Sequence, residues 1–374
     1  MLLVIFPAMQ SIYPVVPEVE NTENRKLADE PVFDINSLDP FPAQYEKYFN
    51  DHFSLRNQFI KLKSKLIINA LQKSPMPDKV IFGKDGWMFL VKNELAEYRG
   101  TNIMKQVDIE KVVKEFLRRE AYLNKRNTKL YIAIAPIKYS IYPEFLPSYV
   151  DKINRKTRTD LIVKELNDSG LNVLDLRPVL LKKKKNGLLY YKTDNHWNSL
   201  GGFYAYKALI NRIKLDFPSI PVLSLQDFNI KTDVTNGRNL AKMLNMIDDF
   251  TDTEYVFEQK FPSKAIKVKK VGYPVPKSFP YKWEFETEFE TGNDTLPNLL
   301  FIRDSFGKAI MPYIDQSFNR SVFIFDAWKY RSDENIVENE NPDVVVYLIL
   351  ESLWGGVLKG VDMSPVSSFK KNKK

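Results

Sequence analysis

The chain has 374 residues, 44% hydrophobic and 13% aromatic, with a formal net charge of +8. Such a composition suits a globular protein with one large core and excludes a disordered chain. The lack of cysteine excludes disulfides, thiolate zinc sites and a cysteine nucleophile. The basic charge comes without a nucleic-acid-binding module, so solubility or attraction to anionic glycans and lipid head groups accounts for it.

Met1 to Val16 is apolar and uncharged but broken by Pro7 and Pro14. It falls short of the roughly 20 apolar residues of a membrane span and lacks the basic start of a signal peptide. It reads as the stub of an uncleaved anchor, and residues 1–40 read as anchor stub plus polar linker, ahead of a main domain over 41–374. Ala43 to Leu62 carries apolar residues at helical spacing, predicting an N-terminal helical region. Lys79 to Leu90 predicts a hairpin turning at Lys84-Asp85-Gly86-Trp87.

Further along, Val107 to Arg126 has a helical apolar face, Leu130 to Ala135 is a short apolar run typical of a buried parallel strand, and Asp160 to Leu166 predicts another helix before a strand at Leu171 to Leu176. The lysines 182–185 before Asn186-Gly187 read as a solvated hairpin tip. Ser199 is placed to cap a helix from Leu200 to Ile213. The charged, aromatic stretch from about 248 to 295, with its alternating Glu284 to Glu290, reads as an inserted antiparallel hairpin. Leu299 to Arg303, Ser321 to Phe325 and Val344 to Leu350 are three further buried strands. Strands alternating with helices predict an α/β domain with a parallel sheet.

The chemistry concentrates in two places. Only two histidines occur, and histidine is the usual proton carrier near neutral pH. His52 lies inside an amphipathic helix and is assigned a structural role. His196 lies two residues after Asp194, and residues i and i+2 of an extended segment point the same way. The aspartate is thereby placed to hold one ring nitrogen and leave the other free to take a proton. Ser305 follows the strand Leu299 to Arg303 and precedes a helical run, at the sheet edge where sites of open α/β folds collect. The N–H groups of that helix start are expected to face a developing oxyanion. A plain capping serine is the alternative reading. No histidine-rich cluster suggests a metal, and no cofactor is expected.

Six segments in order resemble the AlgJ/AlgX-like DHHW family, SGNH-hydrolase-like proteins of bacterial exopolysaccharide O-acetylation. They are Glu23-Asn24-Arg25, Asn50-Asp51-His52-Phe53 with Arg56, Gly83 to Phe89, Pro136-Ile137-Lys138 with Tyr142-Pro143, Thr193-Asp194-Asn195-His196-Trp197-Asn198, and Asp304-Ser305-Phe306-Gly307. The resemblance implies a three-layer α/β/α SGNH-like fold with inserted hairpins and a triad of Ser305, His196 and Asp194. It implies acetyl transfer through a Ser305 ester to a polysaccharide hydroxyl outside the cytoplasm, with acetyl supplied by a membrane-bound O-acyltransferase partner and anchoring through the N-terminus. Lys138, Tyr142, Trp197, Arg303 and Asn239 are the expected substrate-binding residues. Two positions depart from the family pattern: Arg303 replaces the glycine before Asp-Ser, and Asn239 replaces an aspartate in a Gly-Asp-Leu-like block. An acetyl esterase with the same triad and a non-catalytic glycan-binding subunit of an export complex are the alternative functions.

Overall fold

The computed structural model describes residues 9–10, 12–17, 26–36, 38–71, 73–277, 279–326 and 328–365. Most of the anchor stub and the Glu23-Asn24-Arg25 segment lie outside the described residues. Among the described residues, no helix is long and apolar enough to cross a membrane.

Eleven strands are described: β1 (Val80–Phe82), β2 (Met88–Leu90), β3 (Lys129–Ala135), β4 (Val173–Asp175), β5 (Phe228–Asn236), β6 (Thr251–Gln259), β7 (Ile266–Lys267), β8 (Glu286–Glu290), β9 (Leu299–Arg303), β10 (Arg320–Phe325) and β11 (Val344–Leu350). The main sheet has the order β4-β3-β11-β9-β10-β8-β7. Its first five strands run parallel, and β8 and β7 extend it antiparallel at one edge. The helices are α1 (Pro40–His52), α2 (Arg56–Leu71), α3 (Lys92–Arg99), α4 (Gln106–Asn124), α5 (Lys138–Ile141), α6 (Arg158–Asp168), α7 (Arg177–Lys183), α8 (Ser199–Lys214), α9 (Asn239–Met243), α10 (Met311–Ile314), α11 (Glu334–Glu340) and α12 (Trp354–Val361).

Side chains alternate across a strand, and this alternation builds two cores. Tyr131, Ala133, Phe301 and Val346 face one way and pack with Phe203, Tyr206 and Ile210 of α8. Ile132, Ile134, Ile302 and Tyr347 face the other way and meet Val112 and Phe116 of α4, Ile162 of α6 and Trp354 of α12. Helices thus cover both faces of the sheet, the three-layer α/β/α arrangement that the family resemblance implies. A third cluster joins Ile68 of α2, Val80 and Met88 of the first hairpin, and Leu240 and Leu244 around α9. In that hairpin Asp85 and Gly86 take left-handed φ values of 54° and 76°, as the turn residues require.

Three local expectations change. The stretch 248–295 is not one hairpin: β6 pairs with β5 in a separate two-stranded sheet, whereas β8 joins β10 of the main sheet. Its alternation marks a strand, but Glu286 and Glu288 are the buried positions. Glu286 accepts from Gly272 and Tyr273 N–H, and Glu288 from Val271 N–H and Arg320. The lysine run is helical, not a hairpin tip, because Leu180 draws the turn into the core. Lys184 donates to Ile141 O at 2.7 Å and lies 4.6 Å over the Tyr142 ring. Helix α8 is capped by Asn198, whose side chain accepts from Gly201 N–H at 3.0 Å, and not by Ser199.

Candidate functional site

Ser305 stands just past β9, at the carboxyl edge of the parallel strands, and opens a short 3-10 turn, Ser305–Ala309. The buried Asp304 carboxylate caps this turn. It accepts from Phe306 N–H at 2.7 Å, from Leu350 N–H at 2.9 Å and from the Tyr330 hydroxyl at 2.6 Å. Burial pushes its carboxyl up, and these donors and nearby His196 only partly offset that. Asp304 therefore has a structural partner for both oxygens. It also occupies the Phe306 N–H, so that amide is not open to a substrate as the sequence reading expected.

His196 reaches Ser305 from a different part of the chain. A bridge between Tyr190 and Trp197 closes the loop carrying it. His196 Nε2 lies 2.8 Å from Ser305 Oγ, and Nδ1 lies 2.7 Å from Asp194 Oδ1. The same Asp194 oxygen accepts the His196 N–H at 3.0 Å, so backbone and ring are fixed together. The structure thus brings the three residues of the expected triad into one hydrogen-bonded line. Burial pushes the Asp194 carboxyl up, but His196, its hydrogen bonds and Lys138 outweigh burial and hold it at about 2. Burial draws His196 down, yet Asp194, with Glu94 and Asp304 behind it, leaves the imidazole above its ordinary value.

Residues far apart in sequence hold the loop. The Asp252 carboxylate of β6 accepts from Lys192 N–H (2.8 Å), Thr193 N–H (2.7 Å) and the Thr193 hydroxyl (2.5 Å). Lys138 of α5 donates from below to the carbonyls of Tyr191 and Lys192 at 2.8 and 3.0 Å. Glu94 of α3 accepts the Asn195 side-chain amide at 2.9 Å. Burial raises Glu94 to about 7 and draws Lys138 down to about 7. Asp252 and Glu94 were not singled out from the sequence. Asp252 is one acid in a charged stretch, and Glu94 sits in a polar helix, so neither carries a local signal.

The expected substrate-binding residues divide. Lys138 lies beside the triad but is fully buried beneath its loop. Tyr142 is buried, its hydroxyl accepts the Leu189 N–H at 2.8 Å, and its ring lies 4.5 Å from that of Trp87. Trp197 is buried and donates to Phe306 O at 3.0 Å, which ties the histidine loop to the serine turn. Arg303 turns away from the serine: its guanidinium donates to Asp304 O and Glu284 O and lies 5.0 Å over the Phe325 ring. Its side chain packs where a Cβ on Gly307 would come within 2.6 Å of it. These four support the site from inside instead of lining it, because all are buried and each is engaged with protein partners. Asn239 remains exposed at the start of α9, its N–H 3.4 Å from Asp194 Oδ2.

A parallel α/β sandwich with a serine–histidine–aspartate line at the strand ends defines the SGNH-hydrolase class of fold. The chain belongs to the family described as the SGNH hydrolase-like domain of the acetyltransferase AlgX, which matches residues 80–270. It is 26% identical over 211 residues to the probable alginate O-acetylase AlgJ of Pseudomonas aeruginosa, covering 56% of this chain and 50% of that protein. The chain thus spans about half the length of this relative. Among solved structures it resembles Bacillus cereus PatB1 carrying a sulfonyl adduct, with TM-score 0.55, 18% identity, and coverage of 73% of this chain and 96% of that one. It also resembles a DHHW family protein from Eubacterium siraeum, with TM-score 0.52, 17% identity, and coverage of 77% and 95%. At these identities the two structures establish the shared fold.

Proposed function

We propose that the chain is an O-acetyltransferase that moves acetyl groups onto hydroxyls of an extracytoplasmic polysaccharide through an ester on Ser305. The observation that carries this reading is the line Asp194–His196–Ser305, with spacings of 2.7 and 2.8 Å. With its Nδ1 proton donated to Asp194, His196 presents a bare Nε2 to the serine hydroxyl. Ser305 Oγ attacks the acetyl carbonyl of a donor ester as His196 takes the hydroxyl proton. The tetrahedral intermediate collapses, the donor alcohol leaves with that proton, and acetyl-Ser305 remains. A sugar hydroxyl then gives its proton to His196 and attacks the ester; the proton returns to Ser305 Oγ as the acetylated sugar departs. The exposed Asn239 side-chain amide and the Ser305 N–H are the donors we assign to the developing oxyanion. The family and the name of its Pseudomonas aeruginosa relative support acetyl transfer to a glycan. We propose further that a membrane-bound O-acyltransferase supplies the acetyl group, that the chain works outside the cytoplasm, and that its N-terminal segment anchors it.

The test is to incubate the full chain with an activated acetyl ester and candidate glycans. Mass spectrometry is expected to find acetylated glycan and, on quenching, an acetyl group on Ser305. An acetylated product formed equally well by Ser305→Ala would overturn the reading. Recovery of the native protein in cytosol, protected from external protease, would overturn the location and with it the extracytoplasmic substrate.

A further inference from the structure

A second cleft, about 370 Å³ in volume, opens near the carboxyl ends of β3, β4 and β11. That volume is at the small end of the ~300–1,000 Å³ range of small-molecule sites. Tyr98, Tyr139 and Glu351 are buried at its floor, and the partly exposed Ser140, Asp160 and Arg177 form its walls. The acyl-transfer chemistry described above uses none of these six. The polar groups of Ser140, Asp160, Arg177 and Glu351 are nonetheless locked in place. Arg177 is paired with Asp175 at 2.8 Å, Asp160 at 2.7 Å and Glu351 at 3.4 Å. The Glu351 carboxylate accepts the Ile137 N–H at 3.0 Å and the Ser140 hydroxyl at 2.8 Å.

The cleft is a neighbour of the triad. In the sheet only β11 separates β3 from β9, the strand that delivers Ser305. At ~4.8 Å per strand, that puts the cleft on the order of 10–15 Å from the serine along the same edge. Two short helices serve both places. On α3, Glu94 holds the triad loop, and Tyr98, one turn later, lies in the cleft. On α5, Lys138 supports the loop, and Tyr139 and Ser140 follow it into the cleft.

We propose that this cleft is an acceptor subsite that takes an uncharged pyranose residue of the glycan chain, offset from the sugar being acetylated. This rests on the acetyl-transfer reading above. Unlike the buried supports of the triad, Arg177, Asp160 and Asp175 stay partly exposed while paired, so their open edges suit adjacent sugar hydroxyls with the ordering cost already met by that pairing. The exposed Pro143, Pro178 and Leu181 supply apolar surface for the ring, over a floor of buried tyrosines. Charge argues against an acidic residue: two basic groups, Arg177 and Lys152, share the cleft with three acids, Asp160, Asp175 and Glu351. The span to Ser305 exceeds one sugar ring and matches a short oligosaccharide.

The test uses the full chain, with Leu181→Trp and, separately, Lys152→Trp at the exposed mouth to fill the cleft. Acceptors are a monosaccharide and hexasaccharides of β-glucan, α-glucan, chitin and polyuronate type. In the wild type, at least one neutral hexasaccharide should show a KM at least tenfold below its monosaccharide. Either tryptophan should remove most of that gain. Titration of the same sugars into Ser305→Ala measures binding without turnover, and a tryptophan variant on that background should weaken it at least tenfold. A length gain that survives both tryptophans, no gain with any neutral hexasaccharide, or a gain confined to polyuronate would overturn the subsite. Binding lost on filling the cleft, with no acetyl transferred by the wild type, would sink the acetyl-transfer reading and leave the subsite standing.

Discussion

The central strands and the loop that carries His196 are stabilised by opposite means. Leu130–Ala135 of β3 and Val344–Leu350 of β11 are buried at every position and pair in register over their length. Their side-chain contacts are apolar and non-directional, so an apolar residue of suitable size serves. Residues 191–198 have few such contacts and are held instead by Asp252, Lys138 and Glu94, each at a defined distance. A carboxylate or ammonium buried this way is costly unless it is paired. The comparison teaches that the fold uses two kinds of support: apolar burial holds the sheet, and directional bonds hold the loop beside Ser305.

Four substitutions or conditions would break or sharpen that separation. The largest effect is expected from Ser305→Ala, which should lower acetyl transfer by about 10³-fold or more while leaving the denaturation midpoint nearly unchanged. Kinetics with an activated ester and a chemical melt decide this, and activity near that of a surface control would refute the triad. Next, Ile349→Ala should do the reverse. It deletes a fully buried side chain of the second core and should cost about 2–5 kcal/mol of stability, with the activity of the folded fraction intact. A turnover loss matching Ser305→Ala would show that core and site are not separable.

Lys138→Met should lie between the two. The apolar replacement keeps most of the buried volume, but the carbonyls of Tyr191 and Lys192 lose their donor. A loop displaced by about 1 Å reduces turnover on the order of 10²-fold. As a positioning residue, Lys138 should affect kcat, with glycan KM little changed. A raised KM at constant kcat would assign it to substrate binding.

The smallest effect concerns pH. His196 must be neutral to accept the serine proton, and its environment raises its pKa. The rate should therefore increase with pH through an inflection above the free value of about 6.5. Glu94→Gln removes a nearby negative charge and should move that inflection downward. The same change bears on stability. Glu94 is raised from 4.5 to about 7 in the fold. Its contribution is fully present below the unfolded value and is lost as pH rises through about 7. The variant should flatten that decline in melts recorded from pH 5 to 8. An unmoved inflection would remove Glu94 from the electrostatics of His196.

Much of this architecture was legible locally. Short apolar runs marked the five parallel strands, helical spacing marked α4 and α6, and Asp-x-His with a serine after a strand marked the three groups that the fold brings into hydrogen-bonding distance. These signals depend on neighbours in sequence, which is why they survive without a fold. Even so, pattern did not assign every face. The alternation in β8 identified a strand, yet its glutamates point inward because the backbone at 271–273 offers them N–H groups.

By itself, the sequence determined the α/β class with its parallel sheet and the identity of the three groups that meet at the site, since periodicity and local motif carry both. Tertiary structure alone decided how those groups are held. Asp252 lies 59 residues from Thr193, and Glu94 lies 101 from Asn195. Only the packed fold also decided that Lys138, Tyr142, Trp197 and Arg303 would support the site from within. The physical reason is that a buried polar atom must find a partner wherever the fold provides one, and that partner need not be near in the chain.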